Sequence, residues 1–207
     1  MIILSHRGYW TSREERNTRE AFLRSFSLGF GTETDVRDSN GTLVISHDPP
    51  TGGEMPLAEF LALPGLAGLP LAMNVKADGL AEPLAAAMRA AGHDNWFAFD
   101  MSVPDLLQHL RVGAPVYTRL SEYETVPSCL DRAQGIWLDA FEGEWFTAAD
   151  VTRLLASGQK VCVVSSELHG RDPAALWALL RPLAAEAGLM LCTDIPEQAR
   201  EFFGAAA

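Results

Sequence analysis

The sequence predicts a parallel α/β fold, specifically a (β/α)8 barrel with a β-hairpin in the loop after its second strand. Three observations carry this expectation. Apolar runs of strand length recur eight times, helix-sized amphipathic segments separate most of them, and polar residues gather at the carboxyl ends of the runs. At 207 residues the chain is near the lower limit for such a barrel, so its loops must be short. Hydrophobic residues make up 48%, enough for one sizeable core. No linker, repeat or low-complexity tract interrupts it, so residues 1–207 read as one domain.

The strands are expected at 2–5, 32–37, 71–76, 96–99, 116–118, 136–139, 161–165 and 190–193. Amphipathic periodicity predicts helices at 18–28, 80–91, 104–110, 148–156, 173–187 and 196–203. A short helical patch is expected at 57–61, and a short helix within 121–132. One run breaks the alternation. After the second strand come Asn40-Gly41 and then an apolar run at 42–46, with no room for a crossover helix; Asn-Gly between strand-like runs signals a hairpin.

Net charge is −11 and no basic cluster stands out, which argues against nucleic acid or an anionic membrane surface as a partner. An acidic protein that handles an anion must do so through a metal or a few focused cations. Cys129, Cys162 and Cys192 follow no metal-ligand or disulfide framework, and Cys162 and Cys192 lie in apolar runs. The N-terminus leads from Met1-Ile2-Ile3-Leu4 straight into Ser5-His6-Arg7, and no run is long enough to span a bilayer. The expectation is a cytoplasmic protein without stable membrane insertion, of open oligomeric state.

Glu33 and Asp35 are two apart in the second strand and share a face. Two carboxylates so placed repel unless something positive sits between them, and a divalent cation such as Mg²⁺ or Ca²⁺ suits oxygen ligands. The competing reading is an exposed face with two solvated acids. Other polar residues at strand ends include His6 and Arg7, Asn74 and Lys76, Asp100, Arg119, Trp137 and Asp139, Ser165 to Glu167, and Thr193 with Asp194. Asn74 and Lys76 repeat the spacing of Glu33 and Asp35 on the next strand. The hairpin carries His47-Asp48 back towards the same strand.

Ser5-His6-Arg7-Gly8, Asn17-Thr18 with Ala21-Phe22, Glu33-x-Asp35-Val36 and His47-Asp48 together resemble the glycerophosphodiester phosphodiesterase family, in order and approximate spacing. Cys192-Thr193-Asp194-x-Pro196 resembles that family's last strand. The motifs are dense in the first quarter of the chain, and the remainder is compatible as a barrel. The resemblance implies a metal-dependent phosphodiesterase on small phosphodiesters, of the kind met in lipid metabolism. It makes His6 and His47 the acid/base pair, Glu33 and Asp35 metal ligands, and Arg7 and Lys76 phosphate contacts. Arg119 and Trp137 are further substrate-binding candidates. Either water or a substrate hydroxyl is the attacking group.

Three departures qualify the match. Asn74 stands where the family has a carboxylate ligand, with Asp100 at the end of the adjacent strand as the candidate to restore the charge. Glu15-Arg16 replaces the usual Pro-Glu. The segment after His47 is short, which implies a substrate other than a standard glycerophosphodiester, its pocket lined by Tyr9, Trp10, Phe141 or Trp145. Two alternatives stay open: a catalytically weak phosphate-binding barrel, which Asn74 favours, and a barrel using Lys76 as a Schiff-base amine, which nearby carboxylates disfavour.

Overall fold

A run of apolar residues buried on both faces is what makes most strands here. Strand β4 (Leu71–Val75) and strand β9 (Leu189–Thr193) are buried at every position, as expected for parallel strands covered by helices. The computed structural model describes residues 1–204. The other strands are β1 (Ile2–His6), β2 (Gly31–Ser39), β3 (Thr42–Ile45), β5 (Trp96–Phe99), β6 (Tyr117–Leu120), β7 (Gly135–Leu138) and β8 (Lys160–Val164). Helices α1 (Arg19–Ser27), α2 (Leu57–Leu61), α3 (Ala81–Ala91), α4 (Val103–Arg111), α5 (Ala148–Ala156), α6 (Ala174–Leu180) and α7 (Pro196–Gly204) lie among them. The order is that of a (β/α)8 barrel with one inserted strand, β3.

The chain divides into two compact units. One runs from Ser5 to Val116. In it β4 lies parallel between β2 and β5, with Asp35 opposite Asn74 and Asn74 opposite Phe99. β3 runs antiparallel to β2, Val36 opposite Ile45, turning at Asn40 and Gly41, which both have positive φ as an Asn-Gly hairpin requires. The core of this unit forms where α1, α2 and α3 lay their apolar faces. Phe22 of α1 meets Phe60 of α2 edge-on at 4.7 Å, with Leu57, Leu84 and Met88 buried around them. Thr18 caps α1 by accepting from the Ala21 N–H, and Gly92 ends α3 in the left-handed region.

The other unit comprises Met1–Leu4 and the chain from Tyr117 onward. Here β6, β7, β8 and β9 pair in parallel succession. Helix α5 opens with a reciprocal capping box between Thr147 and Asp150. Trp177 of α6 packs on Phe202 and Phe203 of α7 and donates its indole N–H to Ser165 Oγ (2.8 Å).

Two expectations are corrected. The helix expected over 173–187 is α6 followed by a separate 3₁₀ turn, Arg181–Leu183, because Pro182 has no N–H to continue the α ladder. No helix forms within 121–132. The Ser121 hydroxyl instead accepts from the Tyr123 and Glu124 N–H groups, drawing the backbone into a bend, and Pro127 removes another donor.

Gly135 opens β7 where no side chain fits. A Cβ there would lie 2.6 Å from the Lys160 carbonyl oxygen and 2.6 Å from Tyr117 Cζ. Gly135→Ala is therefore expected to destabilise the fold by about 1–3 kcal/mol, as overpacking does. Urea unfolding reads this as a lower midpoint at an unchanged slope.

Candidate active site

The site is built on β2. Glu33 and Asp35 share one face of this strand, as expected from their spacing, and are 1% and 0% exposed, so the reading as solvated surface acids does not hold. Asp35 is compensated from three directions. Arg7 Nε lies 3.0 Å from Oδ2, Asn17 Nδ2 donates to the same oxygen at 2.9 Å, and Lys76 Nζ lies 3.4 Å from Oδ1. Glu33 has less: the Arg7 backbone N–H donates to Oε2 at 3.2 Å, and His6 Nε2 lies 3.9 Å away.

Local backbone forces these groups together. Buried hydroxyls tie β1 to β2, with Ser5 Oγ 2.8 Å from Ser25 Oγ and 3.0 Å from Thr32 Oγ1. Thr32 Oγ1 also accepts the Gly8 N–H at 3.0 Å, pinning the turn that carries His6 and Arg7. Arg7 then takes φ +58°, and the close approach of α1 requires Gly8 to lack a Cβ, which would meet Ala21 Cβ at 2.8 Å. Asn17, at φ +59°, donates its N–H to the Arg7 carbonyl (2.9 Å) and accepts from Thr34 Oγ1 (2.9 Å). Trp10 Nε1 donates to the His6 carbonyl at 3.1 Å. Asn17 and Trp10 are thus structural members of the site to which the sequence alone assigned no such role.

Asp100 adopts φ +71° just after β5 and places Oδ2 3.9 Å from Lys76 Nζ. His47 is on the hairpin return, half exposed, with Nδ1 2.9 Å from Asp48 Oδ1 and its carbonyl accepting from Arg37 Nε at 2.9 Å. His47 and Arg7 line one cavity of about 560 Å³. Arg119 and Trp137 belong to the other unit and stand opposite each other in the β6–β7 ladder. There Trp137 is buried, while Arg119 lies 3.3 Å from Glu124 and over the Phe141 ring. That unit also pairs Asp139 with His169 Nε2 at 2.7 Å, a contact spanning thirty residues of sequence that no motif announces.

The residues fit a hard cation. Asp35 Oδ1 and Asn74 Oδ1 are buried acceptors that receive no hydrogen bond, and their residues stand opposite each other in the β2–β4 ladder. An unsatisfied buried acceptor costs about 1–3 kcal/mol, which a bound cation would recover. Among the described residues, no group of three or more His, Cys, Asp or Glu is arranged to hold a metal.

Burial, and after it the Asp35 charge, push the Glu33 carboxyl up to about 7, against the opposing pull of His6, Arg7 and Lys76. A carboxyl that titrates higher folded than unfolded contributes stability below about pH 4, and that contribution is lost as pH rises through about 7. In EDTA, unfolding free energy is expected to fall by roughly 3 kcal/mol across this window. Glu33→Gln should flatten that dependence in urea titrations taken at successive pH values.

No family model matches the sequence, and no curated protein matches it by sequence. Solved structures do match its fold. A glycerophosphodiester phosphodiesterase from Parabacteroides distasonis superposes with a TM-score of 0.72 at 17% identity, covering 99% of this chain and 97% of that one. A phosphodiesterase from Oleispira antarctica, in complex with the product sn-glycerol-3-phosphate, gives 0.67 at 16% identity, covering 99% and 97%. A Ca²⁺-dependent phosphatidylinositol-specific phospholipase C from Streptomyces antibioticus gives 0.56 at 12% identity, covering 98% and 95%. The chain has the (β/α)8 barrel fold of the glycerophosphodiester phosphodiesterases.

Proposed function

We propose that this protein is a metal-dependent phosphodiesterase related to the glycerophosphodiester phosphodiesterases, with His6 and His47 as its acid/base pair. The observation that carries the reading is the joint grip of Arg7 and Lys76 on the buried Asp35 beside His6 and Glu33. Two cations held in place by one carboxylate are preorganised to meet a phosphate and the charge that develops on it. The fold shared with phosphodiesterases, and the product bound in the Oleispira structure, support the same substrate class.

In this mechanism Asp35 occupies Arg7 through Nε, leaving the guanidinium's Nη groups for a phosphoryl oxygen, and Lys76 supplies a second positive charge. Glu33 orients the His6 imidazole. His47 has Nδ1 engaged by Asp48, which leaves Nε2 to exchange a proton with the substrate. One histidine takes the proton of the attacking hydroxyl and the other protonates the departing alcohol. Glu33, Asp35 and the Asn74 oxygen would hold one divalent cation, Mg²⁺ or Ca²⁺, with Asp100 adding charge beside Lys76. When bound, such a cation polarises the phosphoryl oxygen as a Lewis acid. Arg119 and Trp137 are proposed as further substrate contacts. Residues 1–207 act as one domain. The free thiols of Cys129, Cys162 and Cys192 support a cytoplasmic setting, and no described helix is long and apolar enough to cross a membrane.

A second reading, a phosphate-binding barrel with little catalysis, is favoured by one observation: the neutral Asn74 in the ligand set. Turnover of bis(p-nitrophenyl) phosphate and of natural diesters separates the two. The enzyme reading expects EDTA-sensitive turnover, restored by added cation, and losses of about 10²- to 10⁴-fold in kcat for both His6→Ala and His47→Ala. Absence of metal-dependent turnover on any diester would establish the binding module instead.

A further inference from the structure

Two helices of this protein open with the same spacing and use it differently. Helix α5 begins after Thr147-x-x-Asp150, whose side chains cap each other's backbone N–H in a reciprocal box. Helix α4 begins after Ser102-x-x-Asp105, and Ser102 Oγ accepts the Asp105 N–H at 3.3 Å, the first half of such a box. The second half is replaced. Instead of reaching back to the Ser102 N–H, Asp105 Oδ1 accepts the Gly79 N–H at 2.9 Å. The Ser102 hydroxyl makes a further link to the same segment, donating to Asp78 Oδ1 at 2.9 Å.

The segment so gripped is the one that carries Lys76. Lys76 leaves β4 with its N–H donated to the Val36 carbonyl (3.1 Å), and Asp78 and Gly79 follow two and three residues on. On the other connection, Asp100 places Oδ2 3.9 Å from Lys76 Nζ and stands two residues before Ser102. Ser102 and Asp105 thus staple the β4–α3 connection to the β5–α4 connection just beyond the Lys76–Asp100 contact. Packing does not account for the carboxylate. Asp105 is 4% exposed, and His109, one turn on, is fully buried with Nε2 3.4 Å from Asp105 Oδ2. Oδ2 and both ring nitrogens make no hydrogen bond, a destabilising arrangement in a protein interior. An apolar side chain at position 105 would bury the same helix face without that penalty.

We propose that Asp105 is a positioning residue for Lys76: with Ser102 it holds the Lys76–Gly79 loop against the start of α4, and so fixes the ammonium between Asp35 and Asp100, where a phosphate is met. Asp105 itself touches no substrate. The inference rests on the phosphodiesterase reading for what Lys76 does, and on the two stapled connections for how Lys76 is held.

Lys76 and Lys160 are the only lysines in the sequence, so ¹³Cε-lysine NMR of the metal-free protein gives one signal for each, assigned by Lys76→Met. Asp105→Ala should shift and broaden the Lys76 signal and leave that of Lys160, at the exposed start of β8, in place. Asp105→Asn removes the charge but keeps an acceptor for the Gly79 N–H, and should restore the native signal. Leu106→Ala, at a buried position of the same helix, lowers stability without removing a bond to the loop and should leave the Lys76 signal unmoved. Turnover of bis(p-nitrophenyl) phosphate should follow the same order, with kcat/KM down about 10- to 100-fold in Asp105→Ala and within about 2-fold of wild type in Asp105→Asn, as a displaced contact implies. If Asp105→Ala does not fold, Asp78→Ala, which cuts the Ser102 link at an exposed position, should move the Lys76 signal in its place. A Lys76 signal that the alanine variant leaves unmoved, or that Leu106→Ala or Asp105→Asn moves equally, overturns the positioning role. A Lys76 signal that depends on Asp105 while no diester is cleaved keeps the positioning role and removes the phosphodiesterase reading. Diester cleavage that Asp105→Ala leaves unchanged keeps the phosphodiesterase reading and removes the positioning role.

Discussion

Two carboxylates two residues apart on a buried strand face are the constraint from which the site follows. Burial disfavours the charged form of a carboxyl and a like charge nearby disfavours it further, and both act on Glu33. The chain answers differently for each. Asp35 is matched by Arg7, Lys76 and the Asn17 amide. Glu33 has a backbone N–H and an imidazole 3.9 Å away, and burial, with the Asp35 charge after it, pushes its carboxyl up. One acid is thus a fixed anchor for cations and the other a group whose charge depends on what enters.

Anchoring those cations constrains the backbone. Arg7, Asn17 and Asp100 all sit in the left-handed region, which non-glycine residues reach at a cost of order 1 kcal/mol or more, and each contributes to the group around Asp35 and Lys76. The buried hydroxyls of Ser5, Ser25 and Thr32 and the absent Cβ of Gly8 hold Arg7 in that conformation. Strain therefore gathers where a single side chain, Asp35, has to be reached from several loops at once.

The fold was readable because period and length were unambiguous: strand and helix registers such as 96–99 and 148–156 coincide with the observed elements. It was misread where side chains compete with the backbone, at Ser121, or where Pro182 cuts a continuous amphipathic pattern. In the site, spacing alone places Glu33 with Asp35, and strand pairing places Asn74 opposite Asp35. What spacing could not give was the role of residues whose position depends on a left-handed turn. Asn17 reaches Asp35 only because its backbone folds back on Arg7, and Arg13 and Arg16 line a common cavity with Arg7 only through the same turn. The Asp139–His169 pair is invisible for a simpler reason: it joins the residue after β7 to a 3₁₀ turn, Ser166–His169, beyond β8.

The amide at position 74 follows from the same balance of charge. Glu33, Asp35 and Asp100 already set three carboxylates against Arg7 and Lys76. A further carboxylate opposite Asp35 would add a fourth negative charge to a face whose only relief would be a bound cation, and the apo fold would bear that repulsion. Asn74 supplies an oxygen in the same place without charge. The arrangement leaves Arg7 and Lys76 held on Asp35, with Asp100 beside Lys76 and a neutral oxygen opposite Asp35.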